Sequence, residues 1–278
     1  MSAPLRVRKP AAPFRRVVVG RVESLTPWML RVTLTGAELA DLPVGLPTGN
    51  IRLLLPPDGS AEVVLPAWNG NEFLYDGGVR PTIRSFTPRR YDEATHELDV
   101  DIVIHEGGAV SGWAQAAVPG APIGVSGTGR GYPVAADAGP FLFGGDESAL
   151  PAIGVLLEVL PASATVLVLI EIAHPDARLP LPPHPGATVR WYDLDPGAAH
   201  GDALHGAVIA AEIEADTRIW VAGEAAAVQR IRRHLSEDRG VPRSHAFVRG
   251  YWKQGRAGSD PDATSDDDDD LGANVGSY

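Results

Sequence analysis

The stretch R-S-F-T-P-R-R (84–90) sets three arginines around one aromatic and one hydroxyl. Arg84 brings a forked, permanently charged donor, Phe86 a flat apolar face and Thr87 a short hydroxyl. That set grips a flat anionic ligand, and it also suits an ordinary exposed strand. A second candidate is H-E-G-G-A-V-S-G-W-A (105–114), where glycines end a strand. Ser111 is placed to cap a helix there, presenting several backbone N–H groups to an anion. The same residues read equally as a capped loop with Trp113 in the core and His105 as a hydrogen-bonded structural histidine. Two further junctions, F-G-G-D-E-S-A-L-P-A (143–152) and V-A-G-E-A-A-A (221–227), end strands in glycine before helices. Free N–H groups at a helix start favour phosphate or carboxamide oxygens. Neither junction is a G-x-G-x-x-G fingerprint or a Walker loop, and tight turns need glycine for their own sake.

Other chemistry is poorly supplied. The chain has no cysteine, which removes disulfides, thiol catalysis, zinc–thiolate sites and cysteine-ligated clusters together. Its eight histidines are scattered, with no H-x-x-x-H pair, so no metal site is expected. No G-x-S-x-G elbow occurs. The basic run R-I-R-R-H-L (230–235) reads as a solvated helix face, and a net charge of −11 gives nucleic-acid binding no support. Seven aspartates fall in the segment 259–270, so the charge is largely local, and the segment 257–278 is expected to be an acidic disordered tail. No apolar run approaches the roughly 20 residues that span a bilayer, and the N-terminus lacks the apolar stretch of a signal peptide. A cytoplasmic location, without membrane contact, is the expectation.

The elements that must hold these residues change character midway. Residues 14–25, 28–35 and 50–56 are β-branched or alternating and are cut by Gly, Pro and Asp. In 97–105 the two-residue period is clean: Leu98, Val100, Ile102 and Ile104 share one face, and Asp99, Asp101, Val103 and His105 the other. Five or six such strands, with a helical stretch near 111–117, predict a small antiparallel barrel. After the Gly/Pro-rich 127–140, strands at 141–144, 165–172, 188–192, 218–223 and 246–250 alternate with helices at 147–160, 202–214 and 224–235. That alternation predicts an α/β domain with a parallel sheet and ligands at the carboxyl ends of its strands. The expected division is 1–137, 138–256 and the tail.

Taken in order, these segments resemble the siderophore-interacting protein family, flavin-containing ferric-siderophore reductases of the ferredoxin-reductase superfamily, over roughly 14–256. R-S-F-T is similar to the superfamily's Arg-x-Tyr-Ser/Thr motif. L-D-V-D-I-V-I-H (98–105) and S-G-W-A (111–114) resemble L-D-x-D-F-V-L-H and P-A-S-x-W-A, and G-G-D-E-S-A-L-P-A-I (144–153) resembles G-D-E-T-A-L-P-A-I. W-V-A-G-E-A-A-A-V-Q-R-I-R-R-H-L (220–235) and G-Y-W-K-Q-G (250–255) match the family's C-terminal signature.

The resemblance implies a Greek-key barrel that binds FAD and an α/β domain that binds NADH or NADPH. Arg84 pairs with the FAD pyrophosphate, Phe86 packs on the flavin and Thr87 bonds near its redox-active nitrogens. Asp101, Val103 and His105 lie on the face turned to FAD, and Gly108, Ala109, Val110 and Ser111 complete the phosphate site. Arg89 and Arg90 flank the turn. Asp146, Glu147, Ser148, Ala149, Gly223 and Glu224 stand near the nicotinamide nucleotide. Arg52, Arg130, Lys253 and Arg256 meet an anionic ferric siderophore. The implied scheme needs no protein acid or base, and so no catalytic residue; the expected unit is a monomer, with ferredoxin as an alternative donor. Two departures stand out: Phe86 replaces the motif tyrosine, and the loop after His105 is one residue shorter and lacks a proline before Ser111. Two rival readings are a flavin reductase or electron-transfer partner of another redox enzyme, and a non-enzymatic siderophore-binding module.

Overall fold

The computed structural model describes residues 14–43, 45–57, 60, 62–68, 73–75, 81–127, 129, 131–134 and 139–255. Arg130, Arg256, the expected boundary at 137/138 and the expected tail 257–278 lie outside the described residues. The β-branched runs become β1 (Phe14–Thr26) and β2 (Met29–Thr35), a hairpin turning at Pro27–Trp28. There follow β3 (Ile51–Leu54), a small ribbon of β4 (Ala67–Trp68) and β5 (Phe73–Leu74), then β6 (Ile83–Phe86), β7 (Pro88–Asp92) and β8 (Glu97–Val103). Helix α1 (Ala109–Ala116) and β9 (Pro122–Ser126) complete this half.

Seven of these strands form one antiparallel sheet in the order β6-β3-β9-β1-β2-β8-β7 among the described residues. The sequence pattern reaches only five or six of them, because stretches such as I-R-S-F and P-I-G-V-S are too short to display a period. The first and last strands, β6 and β7, are consecutive in the chain and separated by Thr87 alone. The sheet therefore curls until its two edges meet at that residue. Its interior is closed by Val32, Leu34, Ile51, Leu53, Leu98, Val100 and Ile102, all buried. The two-residue period of β8 is thus the reason its even-numbered side chains fill the barrel.

The second half contains β10 (Phe141–Gly145), a 3₁₀ turn (Glu147–Ala149) running into α2 (Leu150–Val159), β11 (Val166–Ile172) and β12 (Ala187–Asp193). Then come α3 (Asp202–Ala210), β13 (Arg218–Glu224), α4 (Ala225–Arg233) with a following π turn (His234–Asp238), and β14 (Ala246–Trp252). All ladders are parallel, in the order β12-β11-β10-β13-β14. Apolar residues on alternate positions serve both faces, as a fully covered parallel sheet requires. Phe143, Val168 and Trp220 pack with Ile153 and Leu156 of α2, while Leu142, Leu169 and Val221 pack with Leu204 and Val208 of α3 and Ile231 of α4. Leu25, Met29 and Val103 of the barrel join the α2-side cluster, so the two sheets share an apolar contact. No helix among the described residues is long and apolar enough to cross a membrane.

Candidate functional site

Strand register decides where the arginine–aromatic motif points. Phe86 opposes Ile51 and Arg84 opposes Leu53, and cross-strand partners share a face. Both side chains therefore leave on the side of buried core residues, and Phe86 adds part of its ring to the barrel core. Arg84 is half-buried; its Nη1 donates to the Ile83 carbonyl at 2.8 Å, and no carboxylate pairs with it among the described residues. Burial pulls its guanidinium below the ordinary arginine value. A partly desolvated cation without a counter-ion invites an anionic ligand. Arg52 opposes Ser85 on the other face and is exposed, so Arg52 and Arg84 leave neighbouring strands in opposite directions.

The loop after β8 is built around a missing side chain. A Cβ on Gly108 would lie 2.6 Å from Cε1 of His105 and 2.8 Å from Oγ of Ser111. Only glycine lets the exposed His105 ring fold over the start of α1. The capping role predicted for Ser111 is corrected here: Gly108 is the N-cap, without a side-chain bond, and Ser111 is the third helical residue. The buried Ser111 hydroxyl turns back to the strand, accepting from the His105 N–H (3.2 Å) and donating to the Val103 carbonyl (3.3 Å). It thereby ties strand to helix. The first N–H groups of α1, from Ala109 and Val110, meet no side-chain cap and retain the anion-binding character of a helix start. Asp101 is already committed: Nε and Nη2 of Arg31 donate to its two oxygens at 2.7 and 2.8 Å, and the carboxylate is buried. Asp99 is likewise held by Thr33 and Arg21. The polar face of β8 is therefore an internal ion-pair ladder up to Val103.

At the carboxyl ends of the parallel strands, one carboxylate gathers three chain segments. Oδ1 of the buried Asp146 accepts from the Ser148 N–H (2.9 Å) and hydroxyl, and Oδ2 from the Glu224 N–H (3.0 Å) and Trp252 Nε1 (2.8 Å). Burial pushes its pKa up, against four hydrogen bonds that favour the anion. Gly223 is glycine for a related reason, since a Cβ there would stand 2.7 Å from the same Oδ2. Glu224 caps α4, its Oε2 accepting from the Ala227 N–H at 2.9 Å, and Oε1 takes the Gln254 N–H at 3.3 Å. Glu147 accepts the Ala173 N–H, and burial, first, with the Asp146 and Glu171 charges pushes its pKa up. Ala149 is fully buried beneath this turn.

The two halves meet at this place. The end of β8, with Val103, lies against the Glu147–Ala149 turn. Tyr251, one residue before Trp252, stands beside the Thr87 hydroxyl, which partly offsets the rise that burial imposes on the phenol's pKa. Arg89, read from the sequence as merely flanking the turn, instead crosses to α2, where Nη1 and Nη2 donate to the two oxygens of Glu158 at 2.9 and 2.7 Å. Trp28 stacks on His174, with ring centroids 4.3 Å apart and planes 6° from parallel. Lys253 follows Trp252 and is exposed. Tyr251, Trp252, Arg89 and Arg31 are the residues that sequence reasoning left without a role; the C-terminal aromatics were visible as a signature, but their partners depend on tertiary contact.

Known proteins supply the frame for this geometry. The profile of the siderophore-interacting FAD-binding domain matches residues 18–131, and that of the siderophore-interacting protein matches 138–255. The NADPH-dependent ferric-chelate reductase of Escherichia coli K12 is 31% identical over 255 residues, covering 90% of this chain and 96% of that protein. The ferric vibriobactin reductase ViuB of Vibrio cholerae is 30% identical over 237 residues, covering 82% of this chain and 85% of that protein. The crystal structure of a siderophore utilization protein from T. fusca superposes with a TM-score of 0.78 at 32% identity, covering 88% of this chain and 95% of the other. With both halves of its length matched and the barrel and parallel sheet in the same order, the chain belongs to the siderophore-interacting protein family.

Proposed function

We propose that the protein is an FAD-dependent ferric-siderophore reductase that draws electrons from NADH or NADPH. The observation that carries this reading is Arg84, a half-buried cation with no acid partner among the described residues, three residues before the seam where the two domains touch. The residues present fit FAD. Arg84 and the uncapped N–H groups of Ala109 and Val110 would hold its pyrophosphate, Phe86 would offer a flat packing surface, and Thr87, with Tyr251 behind it, a hydroxyl at the ring. When bound, FAD supplies the conversion of one hydride from NAD(P)H into two single electrons, each reducing one Fe(III) to Fe(II).

The chain's own part is to bind and orient. The Asp146 hub fixes the turn holding Glu147, Ser148 and Ala149, and with Gly223 and Glu224 this rim faces the nicotinamide side. Val103, at the end of β8, packs against the α2-side core beside the rim. His105 and Ser111 shape the loop over Gly108, and Asp101 holds Arg31 in place. Arg52 and Lys253 are exposed cations suited to an anionic ferric chelate, as Arg130 and Arg256 are by sequence. Hard oxygen donors hold Fe(II) less well than Fe(III), so reduction loosens the metal. The FAD-binding unit is taken as 1–137 and the nucleotide-binding unit as 138–256. Both halves of the site come from one chain, which supports a monomeric working unit, and dependence on NAD(P)H supports the cytoplasm, with ferredoxin as an alternative donor.

The test is anaerobic stopped-flow of the FAD-loaded protein. Flavin absorbance should fall on mixing with NADH or NADPH and recover on adding ferric citrate, with an Fe(II) chelator developing colour. A flavin that is bleached but never reoxidised by any ferric chelate rules the substrate out. A chain that refuses FAD altogether rules out the enzyme.

A further inference from the structure

We infer that the Arg89–Glu158 pair sets the angle between the barrel and the α/β domain, making these two positioning residues for hydride delivery; the inference rests on the reading above. Three observations carry it. First, the pair is bidentate, at 2.9 and 2.7 Å, and joins β7 of one domain to α2 of the other. A forked guanidinium on a carboxylate fixes direction as well as distance. Second, the site is shaped for the arginine. Its side chain is only 16% exposed, and a Cβ on Gly154, one turn before Glu158, would stand 3.3 Å from Arg89 Nε. Glycine is a poor residue for a helix interior, and here it makes room for the guanidinium. Third, Arg89 follows Thr87 by two residues, at the irregularity near the start of β7, so the pair anchors the chain close beside the flavin motif.

Two other groups of contacts between the domains hold without directing. Leu25, Met29 and Val103 enter the α2-side core through apolar contact, which is non-directional and tolerates rotation. The Trp28–His174 stack resists separation but permits sliding in the ring plane. The bidentate pair removes that freedom. A hydride leaves the nicotinamide ring with two electrons and reaches the flavin only from a near-attack position, and a displacement of about 1 Å costs up to about 100-fold in rate. Electron transfer from flavin to a ferric chelate at the exposed side has no such requirement. The pair should therefore matter to one half-reaction and not to the other.

The experiment uses the full chain in four forms: wild type, Glu158→Gln, Arg89→Lys, and the reversed pair Arg89→Glu with Glu158→Arg. With FAD bound, the single variants should lose flavin absorbance on mixing with NADH or NADPH about 10- to 100-fold more slowly. Reoxidation by ferric citrate should stay within about twofold, and the reversed pair should recover most of the lost rate. Without FAD, residual dipolar couplings of backbone amides read the angle itself. Glu158→Gln, a partly exposed and mild change, should alter the alignment of one domain relative to the other, and the reversed pair should restore it. Couplings that superimpose for all four forms overturn the inference, as does an equal slowing of both half-reactions. Wild-type protein whose flavin neither nucleotide reduces would refute the enzymatic reading alone, because the couplings still judge the pair.

Discussion

Trp252 reaches over the end of a neighbouring strand to Asp146: its indole N–H donates to Oδ2 at 2.8 Å, and the Glu224 N–H of the intervening strand donates to the same oxygen at 3.0 Å. Three adjacent strand ends, β10, β13 and β14, thus hang on one carboxylate. An amide cannot replace it, because one oxygen becomes a donor facing donors. Asp146→Asn should cost about 3 kcal/mol, as for a broken buried polar network. Thermal unfolding monitored by far-UV circular dichroism checks this; an unchanged Tm would show that the hub is not needed for the rim.

Arg84 offers a case in which stability and binding move oppositely. Its burial without an acid partner disfavours the charge. Arg84→Met should therefore leave the Tm of the flavin-free protein unchanged or slightly higher. The loss of a charge-assisted contact of about 1.5–3 kcal/mol should weaken FAD binding about 10- to 150-fold. Flavin fluorescence titration and a melting curve on the same sample separate the two effects.

Gly108→Ala places a methyl group 2.6 Å from His105 Cε1 and 2.8 Å from Ser111 Oγ. The imidazole can swing away, but the buried Ser111 cannot, so the start of α1 must shift. The expected cost is about 1–3 kcal/mol, together with weaker FAD binding. Gly112, with open space around its α-carbon on the same helix, is the control: Gly112→Ala should stabilise by about 0.5–1 kcal/mol.

Glu147 gives a pH signature. Burial, first, and the nearby Asp146 and Glu171 raise its folded-state pKa. Between the ordinary carboxylate value and the raised one, the native state keeps a proton that the unfolded chain has released. Stability from this group is therefore lost as pH rises through that window. Glu147→Gln still accepts the Ala173 N–H but cannot ionise. It should raise the Tm at pH 7 by about 2–4 °C, for about 1 kcal/mol, and leave it unchanged below the ordinary carboxylate range. A variant curve parallel to wild type across pH 3–8 would remove the assignment.

What the sequence discloses here follows from the range of each interaction. The period-2 face of residues 98–104 is local, and Leu98, Val100 and Ile102 indeed fill the barrel. The glycine-ended junctions mark the two places where β10 and β13 give way to helical turns. Ser111 misleads because its spacing suits a cap, whereas Gly108 already starts the helix and the hydroxyl finds the strand instead. Arg31–Asp101 and Arg89–Glu158 join residues 70 and 69 positions apart. Such pairs depend on strand register and on how two domains lean together, and no local pattern encodes either. Asp101 consequently reads in the sequence as part of the face turned to FAD, although Arg31 engages both of its oxygens in the fold.

The meeting of β6 and β7 at Thr87 has a topological consequence. Elsewhere round the barrel neighbouring strands are laced by ladders of backbone hydrogen bonds, but at this point the circle is completed by the covalent chain itself. Moving the termini to Thr87 by circular permutation would cut the barrel at its suture, leaving two free edges where FAD is proposed to rest. The segment proposed to grip FAD is also the clasp of the ring.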